Sequence, residues 1–481
     1  MKIYIQITDR LITFFKTQKL ISTKMVSLFC LVITFSCQDD FVDIDTPPQL
    51  AAGDVIFESI TTANTALSGI YTLMKSSESF VDDNFFGTSI FLGLYSDELR
   101  LDNEAFGTPV INQSKNALNP ESDVVVNTWS ESYNIIQASN RAIEGLMSSS
   151  IPDSDARNQL LGEAYFCRAY THFHLVKLYG DVPYLKSSNF EENALASRTP
   201  IADIYDNIIE DLLLAKNLMQ NNYNDSNRVR PNKGTASALL ARAYIFMEEW
   251  VNAEIESSLV INNPLYVWES NLNNVFLSNS TGTIWQFDET VANRNTPHGV
   301  AFNLSPFLVT NSLSLETVAA FEPGDSRRST WTVDILDFAT FTTKTNLFKY
   351  KSGSVQDATI ERYKLFRLAE QYLIRAEARA QLNNISGSQD DLNLVRSRAS
   401  LGETPARTRK ALLTAIMQER RIELLGESGQ RWFDLVRTGQ ADDVMSAIPS
   451  HTDWEATDVL YPLPQSDLLL NPNLEPQNPG Y

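Results

Sequence analysis

Three cysteines in 481 residues exclude a disulfide framework and a cysteine-built zinc or iron–sulfur site. Histidine is equally scarce. Of the four present, His172 and His174 stand two apart in a helical pattern and cannot face one ligand, which excludes a histidine-rich metal centre. No EF-hand run is present, and no metal or cofactor is expected, with a Ca²⁺ site built from carboxylates as the open alternative. Proline and glycine, 19 of each, are too few for a disordered or fibrous chain. Basic residues are outnumbered, 39 Lys and Arg against 59 Asp and Glu, for a net charge of −20. That balance disfavours nucleic acid or an anionic membrane surface as partner. The longest strongly apolar run, MVSLFCLVITF at residues 25–35, is about half of what spans a bilayer.

That run follows Lys16, Lys19 and Lys24 and has the length of a signal-peptide core. Ser36-Cys37 comes next, a small residue before a cysteine, as at the cleavage and acylation site of bacterial lipoproteins. Thr34 and Phe35 depart from the usual pattern there. Residues 1–36 are therefore expected to be removed and Cys37 to carry lipid. Gln38-Asp39-Asp40 resembles the export tag of surface-exposed lipoproteins. Residues 37–52, polar and proline-bearing, read as a spacer between anchor and domain. With Cys30 removed and Cys37 lipidated, Cys167 is left alone, a small buried hydrophobe.

Beyond the spacer the dominant period is helical. Residues 61–75, 129–147 and 200–219 each carry apolar residues on one face, whereas residues 158–183 are apolar nearly all round. Such a helix is buried on several sides. Gly180 and Pro183 predict its end, with Gly180 in the left-handed conformation. Residues 232–262 and 365–399 read as helix pairs in which small residues (Ala236, Ala243, Ala253, Ala376, Ala380) permit close approach. Pairs of about 34 residues with this pattern build tetratricopeptide arrays. Residues 79–107 read as an aromatic-rich loop, and residues 271–353 as loops and short strands on the helical scaffold. In the last charged helix, Glu419, Glu423 and Glu427 recur every four residues, followed by Arg431, Asp434 and Arg437, a pattern that predicts a buried salt-bridge network. The proline-rich end, residues 459–481, reads as non-helical chain packed over the scaffold.

GEAYFCRAYTHFHLVKLYGDVPYL (162–185), DIYDNIIEDLLLA (203–215), KGTASALLARAYIFMEEWVNAE (233–254), QYLIRAEARAQLNN (371–384), ERRIELLGESGQRWFDLVRTG (419–439) and YPLPQSDLLLNPNLEPQNPGY (461–481) occur in that order. Together they resemble the SusD/RagB family of outer-membrane nutrient-binding lipoproteins. His172 stands where the family usually has an aromatic, and Glu427-Ser428-Gly429 where Glu-Gly is common. The resemblance implies an all-α fold of about four tetratricopeptide-like helix pairs carrying an irregular loop and short-strand insertion. The expected regions are 53–270 (N-terminal helical), 271–355 (variable, ligand-binding) and 356–481 (C-terminal). The resemblance also implies a lipid-anchored protein on the outer face of the outer membrane that is not a catalyst. Such a protein would bind oligosaccharide or polysaccharide, or in some members peptide, and pass it to a SusC-like TonB-dependent transporter.

A sugar presents apolar C–H faces that stack on exposed rings, so loop aromatics are the candidates for contact. These are Phe80, Phe85 and Phe86 in the first loop, and Trp285, Trp331, Phe338 and Phe341 in the insertion. Asp97-Glu98 and Arg327-Arg328 are the polar candidates beside them, with a scaffold role as the alternative. A glycoside hydrolase would need two carboxylates held about 5–10 Å apart across a cleft, and no motif singles out such a pair. A pure protein-interaction scaffold is the third reading.

Overall fold

Helix α1, Ile60–Ser76, starts where the Ser59 hydroxyl accepts from the Thr62 amide at 3.2 Å and buries Ala63, Leu67, Ile70 and Met74 along one face. The structure, a computed structural model, describes residues 56–481 except 82–86, 105–106, 290–293, 303–308 and 353–357. After α1 come α2 (Thr88–Tyr95), β1 (Leu99–Leu101), α3 (Asp123–Ser148) and α4 (Asp155–Tyr179). The expected loop at 79–107 thus contains a helix and a strand. Every residue of α2 is buried, and a helix enclosed on all sides has no polar face to give it a period. Helix α3 begins earlier than its periodicity predicts, at Asp123. Burial of Val124 and Val125 outweighs the weak helical preference of β-branched residues.

Helix α4 is the hub. The Ser154 hydroxyl caps it, Asp155 lies in its first turn and Lys177 in its last, each on the side the helix dipole favours. Gly180 ends it with φ +72° and ψ −125°, a backbone region open to glycine and distinct from the left-handed helical cap expected. Helices α1 and α3 pack on α4, as does α5 (Ile201–Leu218). Arg168 clamps α4 to α5 through both carboxylate oxygens of Asp211, at 2.7 and 2.6 Å. Cys167 is buried and free, and burial, with Glu163 nearby, pushes its thiol up to about 12.

The stack continues through α6 (Lys233–Phe246) and α7 (Trp250–Ile261). Strands β2 (Thr283–Gln286), β3 (Asn311–Leu313), β4 (Thr332–Asp337), β5 (Thr342–Leu347) and β6 (Lys364–Arg367) follow, then α8 (Leu368–Gln381), α9 (Ile385–Arg398), α10 (Arg409–Glu423) and α11 (Gln430–Arg437). Helix α5 packs on α6, α6 on α7, α7 on α8, and α8 on both α9 and α10. Ala236, Ala243, Ala253, Ala376 and Ala380 are fully buried at these crossings, where a larger side chain would force the axes apart. Residues 56–481 form one compact unit.

The strands make three antiparallel pairs: β1 with β3, β2 with β6, and the hairpin β4–β5. The chain end lies over the hub. The Tyr461 amide donates to Leu178 O at 2.7 Å, and Asn478 Nδ2 to Tyr179 O at 2.8 Å. It also forms a short helix, Gln465–Leu470, which its prolines had argued against; Pro464 precedes that helix as its cap and so does not interrupt it.

Candidate functional site

The β4–β5 hairpin keeps strict register from Thr332↔Leu347 to Asp337↔Thr342, leaving Phe338, Ala339, Thr340 and Phe341 as its tip. Asp337 organises that tip. Its carboxylate accepts from the Ala339 amide at 3.0 Å and the Thr340 hydroxyl at 2.6 Å, and its carbonyl accepts from the Phe341 amide at 2.8 Å. The Thr340 hydrogen bond holds the Asp337 carboxyl below its ordinary pKa. Phe341 takes a left-handed φ of +53°, sparsely populated for an aromatic residue. Phe341 is 79% exposed and Phe338 42%. Thr342 and Thr343 are exposed beside them.

The base of the hairpin is rigid. Lys344 Nζ lies 2.6 Å from Asp102, just beyond β1, and Asn346 Nδ2 donates to Phe302 O at 3.1 Å. Arg328 reaches the hairpin from outside, to Thr332 at 2.6 Å and Asp334 at 2.8 Å. Trp331, 1% exposed, closes the base. Its indole donates to Leu272 O at 3.0 Å and its ring meets Phe276 edge-on at 5.5 Å.

Phe338 and Phe341 are thus exposed at the hairpin tip, whereas the other described aromatic candidates are buried. Trp285 is fully buried among Phe166, Tyr170, Phe287 and Phe366, with its indole donating to Val229 O at 3.1 Å. Phe80 packs on His174 with ring centroids 4.8 Å apart. Rings enclosed in this way have no face for a sugar, so the expectation of ligand contact is corrected for Phe80, Trp285 and Trp331. Asp97 is held by Arg431 at 2.6 Å and Arg421 at 2.8 Å. Burial would raise its pKa, but these two guanidiniums outweigh it and lower it. Arg327 is buried against Asp325, Glu419 and Glu423 at 2.8, 2.6 and 3.0 Å. Both groups are spent on the protein itself, and the expectation is corrected for them too. Phe85, Phe86 and Cys37 lie outside the described residues.

Arg327 belongs to the network that the glutamate spacing predicts. Glu423 also receives Arg367 at 2.5 Å and Arg398, while Glu427 receives Arg367 at 2.7 Å and Lys349 at 2.5 Å. Burial would raise the pKa of Glu423; Arg398, Arg367 and Arg327 together hold it well below the carboxylate range. Arg437 pairs with Glu377 at 2.7 Å and with Asp434 at 2.8 Å. The role of Asp337 at the tip is what sequence reasoning missed; Asp-Phe-Ala-Thr (337–340) between two β-rich runs, with polar groups two and three residues after the Asp, is an Asx-turn signal that could have found it.

Two family models match the chain: one described as "Starch-binding associating with outer membrane" over residues 95–245, and one described as "SusD family" over residues 330–481. The chain belongs to the SusD/RagB family. A SusD-like protein of Formosa agariphila, P2, is 28% identical over 91% of this chain and 96% of its own length. The SusD fold is also that of a solved laminarin-binding SusD-like protein, with TM-score 0.72 and 24% identity over 88% of this chain and 99% of that one. Surface glycan-binding protein A from Bacteroides thetaiotaomicron matches with TM-score 0.75 and 18% identity, over 89% of this chain and 100% of the other. The tetratricopeptide-like helical architecture is shared with these SusD structures. Among the described residues no helix is long and apolar enough to cross a membrane, and no group of three or more His, Cys, Asp or Glu could hold a metal ion.

Proposed function

We propose that this protein is a cell-surface glycan-binding lipoprotein, anchored in the outer membrane through Cys37, that captures an oligosaccharide and delivers it to a SusC-like TonB-dependent transporter. Membership of the SusD/RagB family and the two glycan-binding structural relatives support the class of ligand. The observation that carries the reading is the pair of exposed rings, Phe338 and Phe341, on a hairpin tip fixed by Asp337. Two exposed phenyl rings held on one fixed tip present neighbouring apolar faces, and a sugar ring supplies the C–H face that covers them. The threonine hydroxyls beside them offer hydrogen bonds to the sugar rim.

Calorimetry against soluble β-glucans, starch fragments and other oligosaccharides, with peptides in the same panel, tests the proposal. Saturable binding of at least one glycan is expected. Phe341→Ala and Phe338→Ala should each weaken it roughly 5- to 10-fold, the value of half-burying one ring. Heat from peptides alone, or glycan binding indifferent to both substitutions, would overturn the proposal as stated.

A further inference from the structure

A cationic groove lies along α10, away from the residues of the hairpin tip. Two concavities, of ≈ 710 and ≈ 730 Å³, flank the helix and share Lys410, Thr414 and Gln418 in their linings. These three stand four residues apart and form a ridge about 12 Å long, the reach of roughly four residues of extended chain. In a protein of net charge −20, the first concavity is lined by Arg409, Lys410, Arg421, Arg431 and Arg437 against only Glu248 and Glu377.

Not all of that positive charge is compensated. Arg431 and Arg437 are committed to Asp97, Glu377 and Asp434. The exposed Arg409 guanidinium donates to the amide oxygen of Gln381, a neutral partner. Lys410, also exposed, forms no ion pair with a described residue. Arg421 shares Asp97 with Arg431, and its buried Nε has no hydrogen-bond partner among the described residues.

The apolar part of the lining is Ile245, Leu413 and Met417, with Trp250 as its one aromatic ring. Aliphatic and thioether walls suit aliphatic side chains, and methionine adapts to their shape; a sugar would instead call for flat rings. We propose that this face of α10 docks an extended acidic segment of a partner protein. Carboxylates of the segment pair with Arg409, Lys410 and Arg421, and its alternate aliphatic side chains pack on Leu413 and Met417.

The test is fluorescence anisotropy of the full protein with a labelled peptide of alternating aspartate and leucine. Saturable binding is expected, declining as salt rises from about 50 to about 500 mM and absent for the lysine–leucine counterpart. The double variant Arg409→Glu, Lys410→Glu should weaken it about tenfold. Thr414→Trp, which fills the ridge without changing charge, should weaken it as well, so a folding defect in one variant does not decide the matter. Phe341→Ala should leave peptide binding unchanged, which separates this site from the glycan surface. No saturation, or binding that ignores both variants, overturns the proposal. Binding of polygalacturonate to this face without the peptide would overturn it in favour of an anionic glycan.

Discussion

Glu98 is a carboxyl enclosed by the fold, with one oxygen accepting from the Gly426 amide at 3.3 Å and the other without a hydrogen bond among the described residues. Burial raises its pKa to about 7, against the Gly426 hydrogen bond. The folded state therefore holds a proton there that the unfolded chain releases near pH 4.5. That contribution to stability is complete below the unfolded value and is lost as pH rises through about 7. His172 and His451 act in the opposite sense. Burial lowers them to about 3 and about 4, so the unfolded chain takes up protons first and their contribution is lost as pH falls below 6.5. Glu98→Gln should remove the first effect and leave the second. Unfolding free energy from urea titration should rise from pH 5 to pH 8 by more in the variant than in the wild type, by up to about 3 kcal/mol, because the histidine effect is then unopposed. Equal differences would place the proton elsewhere.

At the scale of elements, the hairpin shows how a polar residue governs an apolar site. Asp337 touches no ligand in this reading; it holds Ala339, Thr340 and Phe341 in one geometry, including the left-handed Phe341. Asp337→Ala frees the tip but leaves the anchors at Trp331, Lys344 and Asn346. Its melting temperature should move little, while glycan affinity falls about as far as in Phe341→Ala, because the rings then lose freedom on binding that the native turn has already removed. A large loss of melting temperature would mean that the turn serves folding instead. The same element explains why Phe338 and Phe341 were legible in the sequence while Trp285 was not. A turn between two alternating strands exposes its tip wherever the strands lie. Trp285 was expected among loops and short strands on the scaffold, yet β2 is buried at all four residues, Thr283–Gln286.

Across the whole molecule, the buried charges tie segments far apart in sequence. Glu423 on α10 receives Arg327 from the insertion, Arg367 from β6 and Arg398 from α9, so the insertion and the helical stack share one network. Glu423→Gln leaves three buried guanidiniums short of a charge and should lower unfolding free energy by about 3–5 kcal/mol in a single cooperative transition, followed by urea denaturation. Two separate transitions would show that insertion and stack unfold independently.

The helical class, the buried hub at α4, the close helix crossings and the glutamate network were all determined by the sequence itself. Each is a local or periodic property: an i, i+4 spacing, a small residue repeated on one face, a cap. Which aromatics reach solvent was decided only by the tertiary structure. Burial depends on what covers a residue, and the partners that enclose Trp285, Trp331 and Phe80, like Glu419 and Glu423 at Arg327, come from distant segments. The cationic groove has the same origin. Arg409 and Lys410 read as an ordinary charged helix start, and only the tertiary structure, with residues of α6, α7, α8 and α11 forming the opposite walls, makes them line one concavity with Arg421.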